Sequence, residues 1–273
     1  MSSTPATSAA STTSPVRPTA VPLSLPARPD QTGGLKVGVL LSHGFTGSPG
    51  SMRPWGEAMA AHGYAVEVPR LPGHGTTWQE MNTTTWDQWL AEITATFRRL
   101  RAENDHVVVC GLSMGGALVL RVAELFPDEV DGVVLVNPGV ATTRWDVKLL
   151  PVLKHIVPAL KGVGSDIKKQ GVVEDAYPHT PLKAAHSMFR GWRTVAADLE
   201  RVTAPLLYFR STIDHVVDEA SEPLIRGRVS STDVTFTPLR DSYHVATVDN
   251  DAPQIFAESA DFVARVCGLP TSA

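Results

Sequence analysis

The stretch "CGLSMGG", residues 110–116, sets a serine between glycines two positions before and two positions after it. A serine hydroxyl is a weak nucleophile until a base removes its proton, and a tight strand-turn-helix elbow is one way to expose it at the carboxyl end of a strand. Gly111 and Gly115 are the small residues such a turn requires, and Gly116 lets the following helix approach closely. That helix also brings its amide-bearing N-terminus beneath the reacting centre. The short pattern arises easily by chance, but here "HVVVC" precedes it and a helical pattern follows, which is the context that gives it meaning. Ser113 is therefore the candidate nucleophile of an acyl-transfer reaction. Such a reaction develops an oxyanion that preset donors must meet. Upstream, "VGVLLSHGFTGSPGS" reads as a strand running into His43-Gly44-Phe45-Thr46-Gly47, and the backbone amides of Phe45 and Met114 are the candidate donors. His43 reads as a residue that orders this loop rather than one that exchanges protons.

Holding these groups in place requires a scaffold. Short β-branched runs recur at 36–42, 64–68, 106–110, 132–137, 205–211 and 232–237. Runs such as "VVV" and "VVLV" are apolar throughout, which suits strands buried on both faces. Their alternation with helical patterns predicts an α/β chain with a mostly parallel central sheet and helices on both sides. The clearest helix runs from Trp86 to Arg101, with Trp86, Trp89, Leu90, Ile93, Phe97 and Leu100 on one face. The helix after Ser113 is expected to stop near Pro127, and the last helix carries Pro253 in its first turn. Gly139 to about Asp198 is far longer than a connection between strands needs and reads as an inserted, mainly helical cap. Residues 1–30, rich in Ser, Thr, Ala and Pro, are expected to form a disordered tail. The core then comprises 31–138 and 199–273, and the cap 139–198.

The motifs "HGFTGSPGSM", "PRLPGHG", "GLSMGG", "STIDHVV" and "SYHVATVDND", in that order from about residue 36 to the C-terminus, resemble those of α/β-hydrolases of the small bacterial carboxylesterase and monoacylglycerol lipase group. The resemblance implies the α/β-hydrolase fold, with the cap inserted after the sixth strand. It also implies an acid just past the strand that follows the cap and a base in a loop before the last helix. Here these are Asp214 in "PLLYFRSTIDHVV" and His244 in "TPLRDSYHVATVDND". Ser113, Asp214 and His244 then stand in the chain order of that fold. His244 would deprotonate Ser113 and later protonate the leaving alcohol, while Asp214 fixes the imidazole tautomer. Asp218, read as a helix-start residue, and Asp241, in the histidine's own loop, are rival acids. Asp249 and Asp251 read as N-terminal charges or caps of the last helix. His74 in "PGHG" is the rival base, but it precedes the nucleophile and reads as packing a turn. His62, His106, His155, His179, His186 and His215 have no comparable setting.

The implied activity is that of a serine carboxylic-ester hydrolase. Its cap stretches "LLPVLKHIVPAL" and "SMFRGW" would line an apolar pocket for short- to medium-chain acyl esters or monoacylglycerols. A serine at the elbow argues against the haloalkane dehalogenase and epoxide hydrolase branches, which need an aspartate there. The same triad would also serve an acyltransferase, an amidase or a carbon-carbon bond hydrolase. A non-catalytic binding protein of this fold would be expected to have a broken triad.

With 273 residues, 43% of them hydrophobic, the chain can bury one large core. A formal net charge of -4 with interspersed signs offers no basic surface for nucleic acid, so a small-molecule ester is the expected partner. No apolar run approaches the roughly 20 residues that span a bilayer, so no stable membrane insertion is expected. The N-terminal stretch lacks the pattern of a secretory signal, so a cytoplasmic location is expected, and the chain is expected as a monomer or homodimer. Cys110 and Cys267 lie far apart and are expected as thiols. Histidines and carboxylates lack metal-binding spacing and no glycine loop fits a phosphate, so no metal and no cofactor are expected. Lys148, Lys154, Lys161, Lys168 and Lys169 in the cap read as a solvated face.

Overall fold

The computed structural model describes residues 14–162 and 165–269. In its central strands, consecutive side chains go to opposite faces. Val107 and Val109 enter one hydrophobic cluster while Val108 and Cys110 enter the other, and Val133 with Leu135 divide in the same way from Val134 with Val136. A period of two with both sets apolar is what a sheet covered on both faces demands.

In chain order the strands are β1 (Leu23–Leu25), β2 (Val37–Ser42), β3 (Ala65–Val68), β4 (His106–Leu112), β5 (Gly132–Val136), β6 (Ala159–Lys161), β7 (His179–Pro181), β8 (Leu206–Ser211) and β9 (Val234–Leu239). The helices are α1 (Arg53–Ala61), α2 (Trp78–Met81), α3 (Trp86–Glu103), α4 (Met114–Leu125), α5 (Leu150–Leu153), α6 (Leu182–Asp198), α7 (Ser221–Arg228) and α8 (Ala252–Val266). Seven strands form one sheet in the order β1-β3-β2-β4-β5-β8-β9, with β1 antiparallel to β3 and every other pair parallel. β6 and β7 make a separate antiparallel hairpin. Helices α1 and α8 cover one face through Trp55, Met59, Ile255 and Phe262. Helices α3 and α4 cover the other through Trp89, Ile93, Phe97 and Leu118. A capping box between Thr85 and Gln88 starts α3 at the position its apolar stripe requires.

The stretch expected as a tail divides. Residues 1–13 lie outside the described residues, whereas 14–30 pack on the core. Leu23, Ser24 and Leu25 pair with Val68, Glu67 and Val66, Ala20 is fully buried, and the Arg17 amide donates to the Gly75 carbonyl at 2.8 Å. Composition averaged over thirty residues concealed a short apolar patch that needs only an adjacent strand edge to be ordered. The insertion follows β5, the fifth strand of this chain, rather than a sixth, because among the described residues only the edge strand β1 precedes the parallel run. It combines a 3-10 turn (Trp145–Leu149), α5, the hairpin and the long α6. Met188, Trp192 and Val195 of α6 enter the same cluster as α3 and α4, so this helix is both roof and core wall.

The sheet order explains where a site can form. From β2 the chain moves outward to β3, then returns to the other side of β2 as β4, which leaves the carboxyl ends of β2 and β4 side by side with Ser42 opposite Gly111. Open α/β sheets bind their ligands at such a switch point. The loops after β8 and β9 open at the same edge. Cys110 and Cys267 are both buried and free. No helix among the described residues is long and apolar enough to cross a membrane.

Candidate active site

Ser113 occupies the turn between β4 and α4 with φ 56° and ψ -120°, a conformation that residues with a side chain rarely adopt. It is locked there by backbone bonds. The Ser113 amide donates to the Val136 carbonyl at 3.0 Å, and its carbonyl accepts from the Gly116 and Gly139 amides at 2.9 and 3.2 Å. The flanking glycines follow from close packing. A Cβ on Gly111 would stand 2.4 Å from the Gly115 carbonyl, and one on Gly115 would stand 2.1 Å from Ser42 O. Both positions exclude any side chain.

The other two candidates meet. His244 Nδ1 lies 2.9 Å from Asp214 Oδ2, with the Asp214 side chain fully buried and that of His244 only 7% exposed. Asp214 Oδ1 accepts from the Val216 and Val217 amides, both at 2.9 Å, and Oδ2 also accepts from Arg210 Nη1 at 2.8 Å. Burial opposes ionisation of this carboxyl, but His244, the Val217 amide and Arg210 outweigh it and hold the carboxyl below its ordinary range. Ser113 and His244 line one cavity of about 300 Å³. Among the described residues, Ser113 Oγ makes no hydrogen bond of its own, a common state of such sites before a substrate draws the groups together. A larger, more open cleft of about 880 Å³ lies behind Asp214 near α7, but Ser113 is not among its lining residues.

Phe45 lines the Ser113 cavity, and Met114 is the first residue of α4, where a helix leaves its amides without intrahelical partners. Among the described residues, neither amide donates a hydrogen bond. His43 is fully buried. Its Nδ1 lies 3.0 Å from the Gly44 carbonyl, and its Nε2 accepts from the Leu71 amide at 3.3 Å. Burial pushes its imidazole down to about 4, so it stays neutral and orders the loop. His74 packs edge-on to Trp89 in its turn, and burial holds it well below the usual histidine range.

The rival carboxylates are engaged elsewhere. Asp218 accepts from Thr142, Thr143 and the Ala220 amide, tying the start of the insertion to the acid loop. Asp241 pairs with Lys168 at 2.7 Å. Asp251 stands at the N-cap of α8 but bonds the Asp241 amide instead of a helix amide. Asp249 is not a cap. It accepts from the amides of Lys168, Lys169 and Tyr243, clamping the histidine loop to the insertion.

Four residues beside the site were not anticipated. Arg210 backs the acid, and Asn137 Nδ2 donates to the His244 carbonyl at 2.8 Å. Asp166 and Glu174 come from the insertion and line the Ser113 cavity. A Cβ on Gly47 would touch Glu174 Oε1 at 2.7 Å, which places this carboxyl over the loop of residues 44–47. Neither insertion residue lies in a periodic pattern, so only docking of the insertion reveals them.

Burial pushes the Glu174 carboxyl up to about 7, with His244 pulling the other way and Asp175 adding to the rise. Between the ordinary value of about 4.5 and about 7, the folded chain therefore holds a proton that the unfolded chain releases. The stability that accompanies this proton is complete below about pH 4.5 and is lost as pH rises through about 7. Glu174→Gln removes this dependence. The melting temperature of the variant is expected to gain on that of the parent from pH 5 to 8, and a constant difference in thermal scans across that range would show that Glu174 holds no such proton.

A family profile described as "Serine aminopeptidase, S33" matches residues 35–251, a span that includes the elbow, the acid loop and the histidine loop. The chain belongs to this family. It is an α/β-hydrolase and a serine ester hydrolase. It is 41% identical over 237 residues to a thermostable monoacylglycerol lipase of a Bacillus species, covering 85% of this chain and 92% of that protein. A carboxylesterase of Bacillus subtilis is 23% identical over 229 residues, covering 84% and 92%. Among solved structures, a metagenome-derived lipolytic enzyme superposes with a TM-score of 0.87 at 40% identity, covering 92% of this chain and 100% of that one. This α/β-hydrolase is thus matched along most of its length. Among its described residues, no group of three or more His, Cys, Asp or Glu could hold a metal ion.

Proposed function

We propose that the chain hydrolyses carboxylic esters of short- to medium-chain fatty acids, monoacylglycerols among them, through an acyl-enzyme on Ser113. His244 Nε2 takes the Ser113 proton as Oγ attacks the ester carbonyl. The amides of Phe45 and Met114 meet the oxyanion, and Asp214 stabilises the imidazolium and holds its Nδ1–H. His244 then passes its proton to the departing alcohol. A water, deprotonated by the same imidazole, attacks the acyl-enzyme and frees Ser113.

The observation that carries this reading is the cavity itself. Ser113 and His244 stand in an enclosure walled by Leu150, Leu153, Met188 and Trp192, with Glu174 as a carboxyl beside the reacting end. Apolar walls suit an acyl chain, and a carboxyl that shares its proton near neutral pH can bond the hydroxyls of a glycerol leaving group. The same insertion leaves Trp145, Val152 and Ile156 exposed at the surface while Val147 and Leu150 line the cavity, which fits an amphiphilic ester. The similar Bacillus protein is named a monoacylglycerol lipase, which supports the glycerol ester.

The family description names an aminopeptidase, so an amide belongs in the test. Turnover should be measured on p-nitrophenyl esters of two to sixteen carbons, on a monoacylglycerol and on an aryl amide, before and after a fluorophosphonate whose adduct is located by mass spectrometry. The expected result is labelling at Ser113, a preferred ester length and turnover of the monoacylglycerol. Amide turnover without ester turnover would overturn the ester reading.

A further inference from the structure

Asp166 belongs to the insertion, yet its contacts lie on the two loops that carry Asp214 and His244. Its Oδ2 accepts from the backbone amides of His215 and His244 at 3.2 and 3.1 Å, and its Oδ1 lies 2.8 Å from His215 Nδ1. Its carbonyl accepts from the Val245 amide at 3.1 Å. Its side chain is only 10% exposed, and its bond to the His244 amide is partly buried, whereas its two bonds to His215 face solvent. His215 directly follows Asp214, and Val245 directly follows His244. One carboxylate therefore bridges the acid loop and the base loop.

From the other side, Asn137 Nδ2 holds the His244 carbonyl at 2.8 Å. The histidine is thus fixed at three points: its amide by Asp166, its carbonyl by Asn137 and its Nδ1 by Asp214. With the ring already tethered at Nδ1, the two backbone anchors decide where the ring pivots, and so where Nε2 falls relative to Ser113. We propose that Asp166 is a positioning residue of the reaction, a part of the insertion that sets the catalytic base, and not merely a tie between roof and core. The proposal rests on the triad reading above. A displacement of about 1 Å at a reacting centre can cost about a hundredfold in rate, so the loss on removing Asp166 falls on kcat more than on KM.

The test compares the parent with Asp166→Ala, Asp166→Asn and Ser113→Ala on p-nitrophenyl butyrate, together with the rate at which a fluorophosphonate labels Ser113. Asp166→Ala is expected to lose about ten- to a hundredfold in kcat with KM changed less than about threefold, and labelling is expected to slow in parallel. Asp166→Asn keeps an oxygen that can accept from the His244 amide and is expected to recover most of kcat. If the alanine variant does not fold, Asp166→Ser, whose short hydroxyl cannot reach both amides, carries the same expectation. A kcat for Asp166→Ala within about twofold of the parent would overturn the proposal. So would a loss confined to KM with labelling unchanged, or an asparagine variant as slow as the alanine one. Turnover retained by Ser113→Ala would instead bring down the triad reading itself. An inert Ser113→Ala beside an unaffected Asp166→Ala removes only Asp166 from it.

Discussion

Ser113→Ala is expected to lower kcat for a p-nitrophenyl ester by about 10⁴-fold or more while leaving the melting temperature close to that of the parent. The two halves of this expectation have different causes. Turnover falls because, in the proposed mechanism, Oγ is the atom that forms the acyl bond, and no other hydroxyl is presented at the elbow. Stability holds because alanine keeps the Cβ, occupies the same φ of 56° at a cost similar to that of serine, and breaks no side-chain hydrogen bond among the described residues. The backbone bonds to Val136, Gly116 and Gly139 are untouched. Steady-state kinetics beside a thermal scan reads both. Activity within tenfold of the parent in a folded variant would remove Ser113 from the mechanism.

Asp214→Asn is expected to be nearly as severe, with kcat reduced by about 10⁴-fold. Its Oδ2 serves two donors, His244 Nδ1 and Arg210 Nη1, while Oδ1 serves the Val216 and Val217 amides. An asparagine that leaves its oxygen on the two amides turns an N–H₂ group toward two other donors. His244 then relieves the clash by moving its proton to Nε2, where it can no longer accept from Ser113. The half-buried Arg210 also loses an acceptor, so a stability loss of about 1–3 kcal/mol should accompany the kinetic one. Asp218→Asn and Asp241→Asn serve as controls, because their carboxylates bond Thr142, Thr143 and Lys168 and not the imidazole. Each should keep kcat within about tenfold. If Asp241→Asn proved the more damaging variant, the acid would be misassigned.

What could be read before folding and what could not separate along a physical line. The elbow is legible because its determinants are local. Gly111, Ser113 and Gly115 collide or fit within five residues, and a collision at 2.4 Å leaves the sequence no alternative. The apolar stripe of α3 and the doubly buried strands are legible for the same reason, since a period of 3.6 or 2 is a property of neighbouring residues. Asp214 and His244 were placed through motifs and chain order, and the structure brings them within 2.9 Å. Other features depend on distant partners. β1 lay hidden in a stretch whose composition suggested disorder, because its order depends on the edge of β3, more than forty positions along the chain. Asp249 read as a helix charge, yet it clamps the insertion, whose amides reach it from about eighty positions upstream. Asp166 and Glu174 are ordinary acidic residues in an aperiodic segment until that segment docks over the carboxyl ends of β2 and β4. The sequence alone thus determined the turn that carries Ser113 and the layers of the sheet, because both arise from contacts between near neighbours. The roof of the cavity, its carboxyl and the anchors of His244 were decided only by the tertiary structure, because each is a contact between segments far apart in the chain.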